Sequence, residues 1–226
     1  MANPLFFAIV PAKGHSERVP DKNIRPMSGR PLLEYIFETL SRVPVIERII
    51  LDTDSTKIAD MVATRFDVEI SMRPEHLCCD FVSVNRLIEH VMGLFPSQHL
   101  FLQTHVTNPF LAAETITAAC RFFLGQSEYD SLFTVLRHQS RFYDHQFRPV
   151  NHDPAELIRT QDLPPLFEEN SNLYLFSRDS FTKTKARIGA APYLWEMAPM
   201  EAVDIDVESD FVLAEAIARG RTGKCT

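Results

Sequence analysis

Short apolar runs alternate with stretches of helical spacing along most of this chain, and that alternation restricts its fold more than any other feature. The run Leu5–Val10 is continuously apolar and ends in a polar loop. It has the length of a strand buried on both faces. After it, Leu32, Leu33, Ile36, Phe37 and Leu40 fall on one helical face, with Pro31 at the helix start. The rhythm repeats. Strands are expected at Arg48–Thr53, Val68–Ile70, His99–Gln103, Ser131–Arg137, Asn172–Phe176 and Val203–Asp206. Helices are expected at Thr56–Phe66, Val84–Phe95, Ala112–Phe123 and from Glu208 to about Arg219. Such alternation predicts an α/β fold with a mostly parallel sheet and helices on both faces, its ligands bound at the carboxyl ends of the strands.

The length, 226 residues, suits a single domain with a sizeable core. One stretch, from His138 to Leu166, is polar and rich in His, Pro and Arg. It breaks the rhythm and is read as an extended arm. The net charge of -7 argues against broad nucleic-acid binding, which needs a basic footprint, but not against one small polyanion held by a few local cations. The opening residues carry neither a basic n-region nor a long h-region, so no membrane segment and a cytoplasmic location are expected. Cys78, Cys79, Cys120 and Cys225 lack metal-site spacing and are read as reduced thiols, mostly plain core residues. His138, His145 and His152 lack zinc-ligand spacing too. Trp195 and the Phe122-Phe123 pair are read as core.

Two constellations carry chemistry. Directly after the first strand, Lys13, Arg18 and Lys22 place three cations around Gly14 and Ser16. A loop of this kind can cradle a triphosphate on its backbone N–H groups, or it can be a solvated basic loop. It is neither a Walker loop nor a dinucleotide fingerprint, so phosphate-loop kinases and Rossmann dehydrogenases are disfavoured. Near the end of the chain, Asp204 and Asp206 stand at i and i+2, on one face if the segment is a strand. Such a pair repels itself unless a cation sits between. Mg²⁺, which takes one or two carboxylates plus phosphates, fits. The alternative is a strand end with two solvated acids.

Taken in order, these pieces resemble the acylneuraminate cytidylyltransferases, the CMP-sialic acid synthetases and their relatives. The family's opening P-A-R-x-G-S-x-R-x-x-x-K-N is similar to Pro11, Ala12, Gly14, Arg18, Lys22 and Asn23, with Ser16 one place late and Lys13 where Arg is common. Thr53-Asp54, Arg73-Pro74-Glu75-His76-Leu77 with Asp80, Gln103 with Thr107-Asn108-Pro109, Arg159-Thr160-Gln161-Asp162-Leu163-Pro164, and Glu169-Asn170 with Tyr174 resemble its later segments, and Asp204-Ile205-Asp206 its closing Asp-x-Asp.

The resemblance implies a three-layer Rossmann-like nucleotidyltransferase domain over 1–226, with a dimerisation arm at about 138–166. It implies transfer of CMP from CTP to the anomeric hydroxyl of an acidic keto-sugar, with Mg²⁺ as cofactor. Ala12, Lys13, Gly14, Ser16, Arg18, Lys22, Asn23 and Arg73 would bind the nucleotide. Gln103, Arg159, Gln161, Asn170 and Tyr174 would meet the sugar. Lys22, Asp204 and Asp206 would serve catalysis, the two aspartates as metal ligands. His105, just past Gln103, is a further candidate sugar contact. In a homodimer, Arg159 or Gln161 could reach the partner's site. Three rivals stay open: another nucleotide such as GTP, a CMP-Kdo synthetase, and a nucleotide-binding regulator without turnover.

Overall fold

The computed structural model describes residues 5–222, so Cys225 and Met1–Pro4 of the opening segment lie outside the described residues. The first apolar run forms strand β1 (Phe6–Ala12), buried except at Pro11. Its side chains alternate between two cores. Phe6, Ala8 and Val10 enter one, and Phe7 and Ile9 the other. That is why the run reads as continuously apolar rather than alternating.

A small hairpin, β2 (Pro26–Met27) and β3 (Arg30–Pro31), leads into α1 (Leu32–Ser41). The strand-helix alternation then follows the sequence: β4 (Ile46–Thr53), α2 (Thr56–Ala63), β5 (Glu69–Met72), α3 (Val84–Leu94), β6 (Leu100–Thr104), α4 (Ala113–Leu124) and β7 (Ser131–His138). The chain closes with β8 (Leu166–Ser177), α5 (Arg178–Thr184), β9 (Pro192–Glu196) and α6 (Glu208–Thr222). The main sheet runs β5-β4-β1-β6-β8-β7-β9. Every pairing is parallel except those of β8, which is antiparallel to both neighbours. Residues of α1, α2, α4 and α6 pack into the core on one face, and residues of α3 and α5 into the core on the other. This is the expected three-layer α/β arrangement.

The position of β1 decides where ligands go. The chain leaves β1 for β4 on one side and later returns to β6 on the other. The strand order therefore reverses between β1 and β6, and a crevice opens at their carboxyl ends.

Besides the β2–β3 hairpin, which was not expected, the structure differs from the expectation at the acidic segment, at α5 and β9, and at the start of β8. Val203–Asp206 is not a strand. Ile205 donates its N–H to Thr107 O at 3.0 Å, but its carbonyl accepts the Lys22 ammonium at 2.6 Å, so no ladder forms. Helix α5 and strand β9 were not expected: α5 has only seven mostly polar residues, and β9 starts with Pro at the sheet edge, where a missing donor is tolerated. Strand β8 starts six residues early, because Leu166–Glu169 pair with the far end of β7, where side chains stay exposed and carry no apolar pattern. The β7–β8 connection, residues 139–165, folds back on itself. Asn151 donates to the carbonyls of Ser140 and Pro164 at 2.8 and 3.0 Å, and Arg141 to Ile158 O at 2.7 Å. Of the cysteines, Cys120 is core, its thiol pushed up to about 12 by burial, while Cys79 is exposed. Trp195 is half-buried on β9 and packs edge-on against Phe122, which lies against the core.

Candidate active site at the strand carboxyl ends

The phosphate-type loop starts where β1 ends, at buried Ala12. Four contacts give it shape. Val19 is fully buried and anchors its middle. Asn23 donates to the Lys13 carbonyl at 2.7 Å and closes the loop. Asp54, beyond β4, accepts the Gly14 N–H at 2.6 Å. The approach there is so close that a Cβ on Gly14 would lie 2.8 Å from Ser55 Cβ. Gly14 is required by proximity, not by φ. Lys13 forms an ion pair with Asp80 at the loop's edge, and Ser16 is half-buried on the loop itself.

The loop's later cations meet the acidic segment. Arg18 bonds Asp206 Oδ1 at 2.8 Å, and Lys22 Nζ lies 3.8 Å from the same oxygen. Burial holds the Lys22 ammonium below the usual lysine range, against the pull of Asp206 and Asp204. The segment is fixed from behind. Asp210 accepts the N–H groups of Asp206 and Val207, both at 2.9 Å, as a cap for α6. Arg25 forks onto Glu208 with two bonds of 2.7 Å.

Asp204 and Asp206 suit a hard divalent cation. Asp204 Oδ1 is buried without a hydrogen-bond partner, while the Thr107 side chain bonds the carboxylate. Burial first, then the neighbouring Asp206 charge, raises the Asp204 pKa. An orphaned oxygen beside a second carboxylate is relieved by a cation. Among the described residues no three His, Cys, Asp or Glu side chains cluster as a complete metal cage. The donor set therefore matches an ion, such as Mg²⁺, that takes its remaining ligands from phosphate and water.

Beside the loop lies a cavity of about 200 Å³, walled by Pro11, Lys13, Arg73, Asp80, Leu87 and His105 among others. Arg73 is held there by a buried ion pair with Asp52, Nε to Oδ2 at 2.6 Å. The Asp52 pKa is raised, because burial outweighs the nearby guanidinium.

On the other side of His105, β6 and β8 bring further expected residues together. Gln103 stands opposite Tyr174 across the two strands. Gln103 is fully buried, and both ends of its amide are bonded: Nε2 donates to Thr104 O at 2.9 Å, and Oε1 accepts from Arg187 at 2.6 Å. Tyr174 donates its hydroxyl to Glu169 and accepts from Arg187 at 2.8 Å. Burial pushes the Tyr174 pKa up. Asn170 is buried too but bonds none of these groups, accepting from Thr134 at 2.7 Å and donating to Met197 Sδ at 3.5 Å. His105 Nε2 lies 3.0 Å from Gln103 Nε2 and 3.2 Å from Arg187. Both neighbours are donors, so Nε2 is the acceptor and the ring proton sits on Nδ1. Burial, then the charges of Arg187 and Lys22, hold the His105 pKa down to about 3. The sequence reading missed Arg187, which lies on a loop with no recognisable motif. Its one signal was a cation beside Gly189 after a polar helix.

Two expected residues are not part of this cluster. Arg159 sits on the folded-back connection, paired with Asp162 at 2.7 Å and largely exposed. Gln161 is also exposed there, in a short 3₁₀ turn.

Comparison with known proteins shows a family and a fold. The chain is similar to N-acylneuraminate cytidylyltransferase B of Danio rerio, 28% identical over 92% of this chain and 50% of that protein. It is similar to N-acylneuraminate cytidylyltransferase of Escherichia coli, 24% identical over 94% of this chain and 52% of that protein. It thus spans about half the length of the curated relatives it matches. The fold is that of a CMP:2-keto-3-deoxy-manno-octonic acid synthetase solved with CTP, with TM-score 0.73, 13% identity, and 96% and 99% of the two chains covered. It is also that of a 4-diphosphocytidyl-2C-methyl-D-erythritol synthase from Anaerococcus prevotii, with TM-score 0.68, 14% identity, and 95% and 96% covered. A family model described as cytidylyltransferase matches residues 7–222. The loop, the acidic segment and the crevice between them thus lie on a chain that belongs to the cytidylyltransferase family.

Proposed function

We propose that this chain transfers CMP from CTP to the anomeric hydroxyl of an acidic keto-sugar, a sialic acid or related nonulosonate, and releases pyrophosphate in the cytoplasm. One observation carries the reading. Arg18 and Lys22 from the first loop converge on Asp206, beside Asp204, at the crevice between β1 and β6. A triphosphate needs that cation density, and a divalent ion needs those carboxylates.

On this reading Lys13, Arg18 and Lys22 orient the phosphates, aided by backbone N–H groups of the loop other than that of Gly14, which Asp54 holds. Asn23 holds the loop closed, and Arg73 lines the nucleotide cavity. The acceptor lies on the β6–β8 side, near Gln103, His105, Asn170 and Tyr174. Asp204 and Asp206 would hold Mg²⁺, which when bound neutralises phosphate charge. The protein's remaining task is alignment of the hydroxyl with the α-phosphorus, worth several orders of magnitude in rate when well met. Support for the acceptor class comes from the relatives named above.

A homodimer is part of the same proposal. The connection 139–165 leaves Tyr143, Phe147 and Leu157 at 54%, 87% and 77% exposure, an apolar surface suited to a second copy. Arg159 and Gln161 would then reach the partner's acceptor pocket.

The test is pyrophosphate release, crossing four nucleoside triphosphates with a panel of keto-sugar acids that includes Kdo. Turnover with CTP and a nine-carbon acid is expected. Preference for Kdo would make the chain a CMP-Kdo synthetase. Preference for GTP with a sugar phosphate, or CTP binding without turnover, would overturn the proposal.

A further inference from the structure

We infer that Arg187 is the residue that reads the acceptor's carboxylate, a specificity role that rests on the function proposed above. Three buried cations serve the crevice, and they differ in how they are neutralised. Arg73 is matched by Asp52 at 2.6 Å. Lys22 faces Asp206 at 3.8 Å on the phosphate side. Arg187, with its side chain only 14% exposed, is held chiefly by neutral groups: Gln103 Oε1 at 2.6 Å, the Tyr174 hydroxyl at 2.8 Å and His105 Nε2 at 3.2 Å. Among the described residues its one carboxylate within ion-pair range is Glu169, at 3.6 Å and 43% exposed. A guanidinium has five donors, and these contacts leave donors over. Its charge is thus fixed in direction and incompletely matched, which is the state in which a planar fork binds a carboxylate best.

The position suits the acceptor rather than the triphosphate. His105 stands between, touching Arg187 on one side and lining the Lys13–Arg73 cavity on the other. Held neutral, it adds no competing charge. Gln103 then acts as a positioning residue, because its buried amide oxygen aims the guanidinium. The loop is rigid as well. Asp130 accepts the N–H groups of Ala190 and Ala191 at 2.9 and 3.0 Å, and a Cβ on Gly189 would lie 2.1 Å from the Asp130 carboxylate. Glu169 occupies the edge of the place where a substrate carboxylate would sit.

The experiment compares a keto-sugar acid with its methyl ester, with CTP as donor. The wild-type chain is expected to prefer the acid. Arg187→Gln should raise KM for the acid by roughly tenfold to hundredfold, the worth of a charge-assisted bond. It should bring the acid-to-ester preference close to one and leave KM for CTP unchanged. Arg48→Gln, a cation away from the crevice, should keep the preference. Glu169→Gln, which removes the competing carboxylate, should lower KM for the acid several-fold, a gain that misfolding cannot imitate. If circular dichroism shows Arg187→Gln unfolded, the Glu169→Gln result decides: a lower KM supports the role and an unchanged one overturns it. A preference that survives in folded Arg187→Gln, or collapses equally in Arg48→Gln, overturns the inference alone. No turnover of any keto-sugar acid by the wild-type chain overturns the proposed function and this role together.

Discussion

On the proposed reading, Lys22 is the side chain on which the phosphate side turns. It bonds the Ile205 carbonyl at 2.6 Å, its ammonium is mostly buried, and it faces Asp206. Arg48 is a fair control. It sits toward the opposite end of β4, half-exposed and paired with Glu69. Lys22→Ala should cut kcat/KM by roughly a hundredfold or more, as loss of a pre-aimed charge does, while Arg48→Ala stays near wild type. Steady-state kinetics on both variants checks this, and similar values would move the phosphates elsewhere. Lys22 was legible because a cation cluster follows a strand. Arg187 was not, because its meaning depends on β6, β8 and a loop meeting in space. His105 supplies a pH test. Its folded pKa of about 3 lies below the ordinary 6.5. Between those values the unfolded chain takes up a proton that the folded chain refuses. The stability from neutral His105 is therefore complete above about pH 6.5 and is lost as pH falls toward 3. By pH 5 the loss should be on the order of 2 kcal/mol. Urea unfolding at pH 7.5 and pH 5 should show that slope in the wild type and a shallower one in His105→Gln.

Among the elements, β4 and β5 show how a pair of strand ends fixes a cavity wall. Asp52, one residue before the end of β4, is fully buried, and Arg73 follows β5 almost as deeply buried. Both N–H and guanidinium of Arg73 are engaged, by Thr53 O at 2.8 Å and by Asp52. Removing one partner strands the other charge. Asp52→Ala should therefore lower unfolding free energy by about 3 kcal/mol or more, measured by urea titration, and weaken CTP binding by calorimetry. A loss below about 1 kcal/mol would show that water reaches the pair. Elements whose pattern faces a core were readable in advance. The acidic segment was not, since two aspartates flanking an Ile look like a strand. Only the Lys22 ammonium on Ile205 O reveals why the ladder stops. The edge strand β9 and the short helix α5 were hidden for the complementary reason, having little core to face.

For the whole molecule, the open question of assembly falls on residues 139–165. Sedimentation should show a dimer at micromolar concentration, driven by the exposed apolar side chains of that connection. Mixing an Arg159→Ala chain with an Asp206→Asn chain should restore part of the lost activity, because one hybrid site would be whole. A monomer, or no rescue despite subunit exchange, would leave Arg159 with its Asp162 partner on the surface of its own chain.

The reversed direction of β8 carries a consequence for how such a molecule can diversify. Parallel strands present only their exits at the crevice, and on the proposed reading the exits of β1, β4 and β5 serve the nucleotide. Because β8 runs the other way, it reaches the crevice through its entrance half, setting Tyr174 opposite Gln103 and Glu169 opposite Val135. On the proposed reading the acceptor is met by strand ends of both senses, the exit of β6 with Gln103 and the entrance half of β8 with Tyr174. On the proposed reading, exchange of the stretch from 166 to 189 re-specifies the sugar and leaves the nucleotide grip untouched.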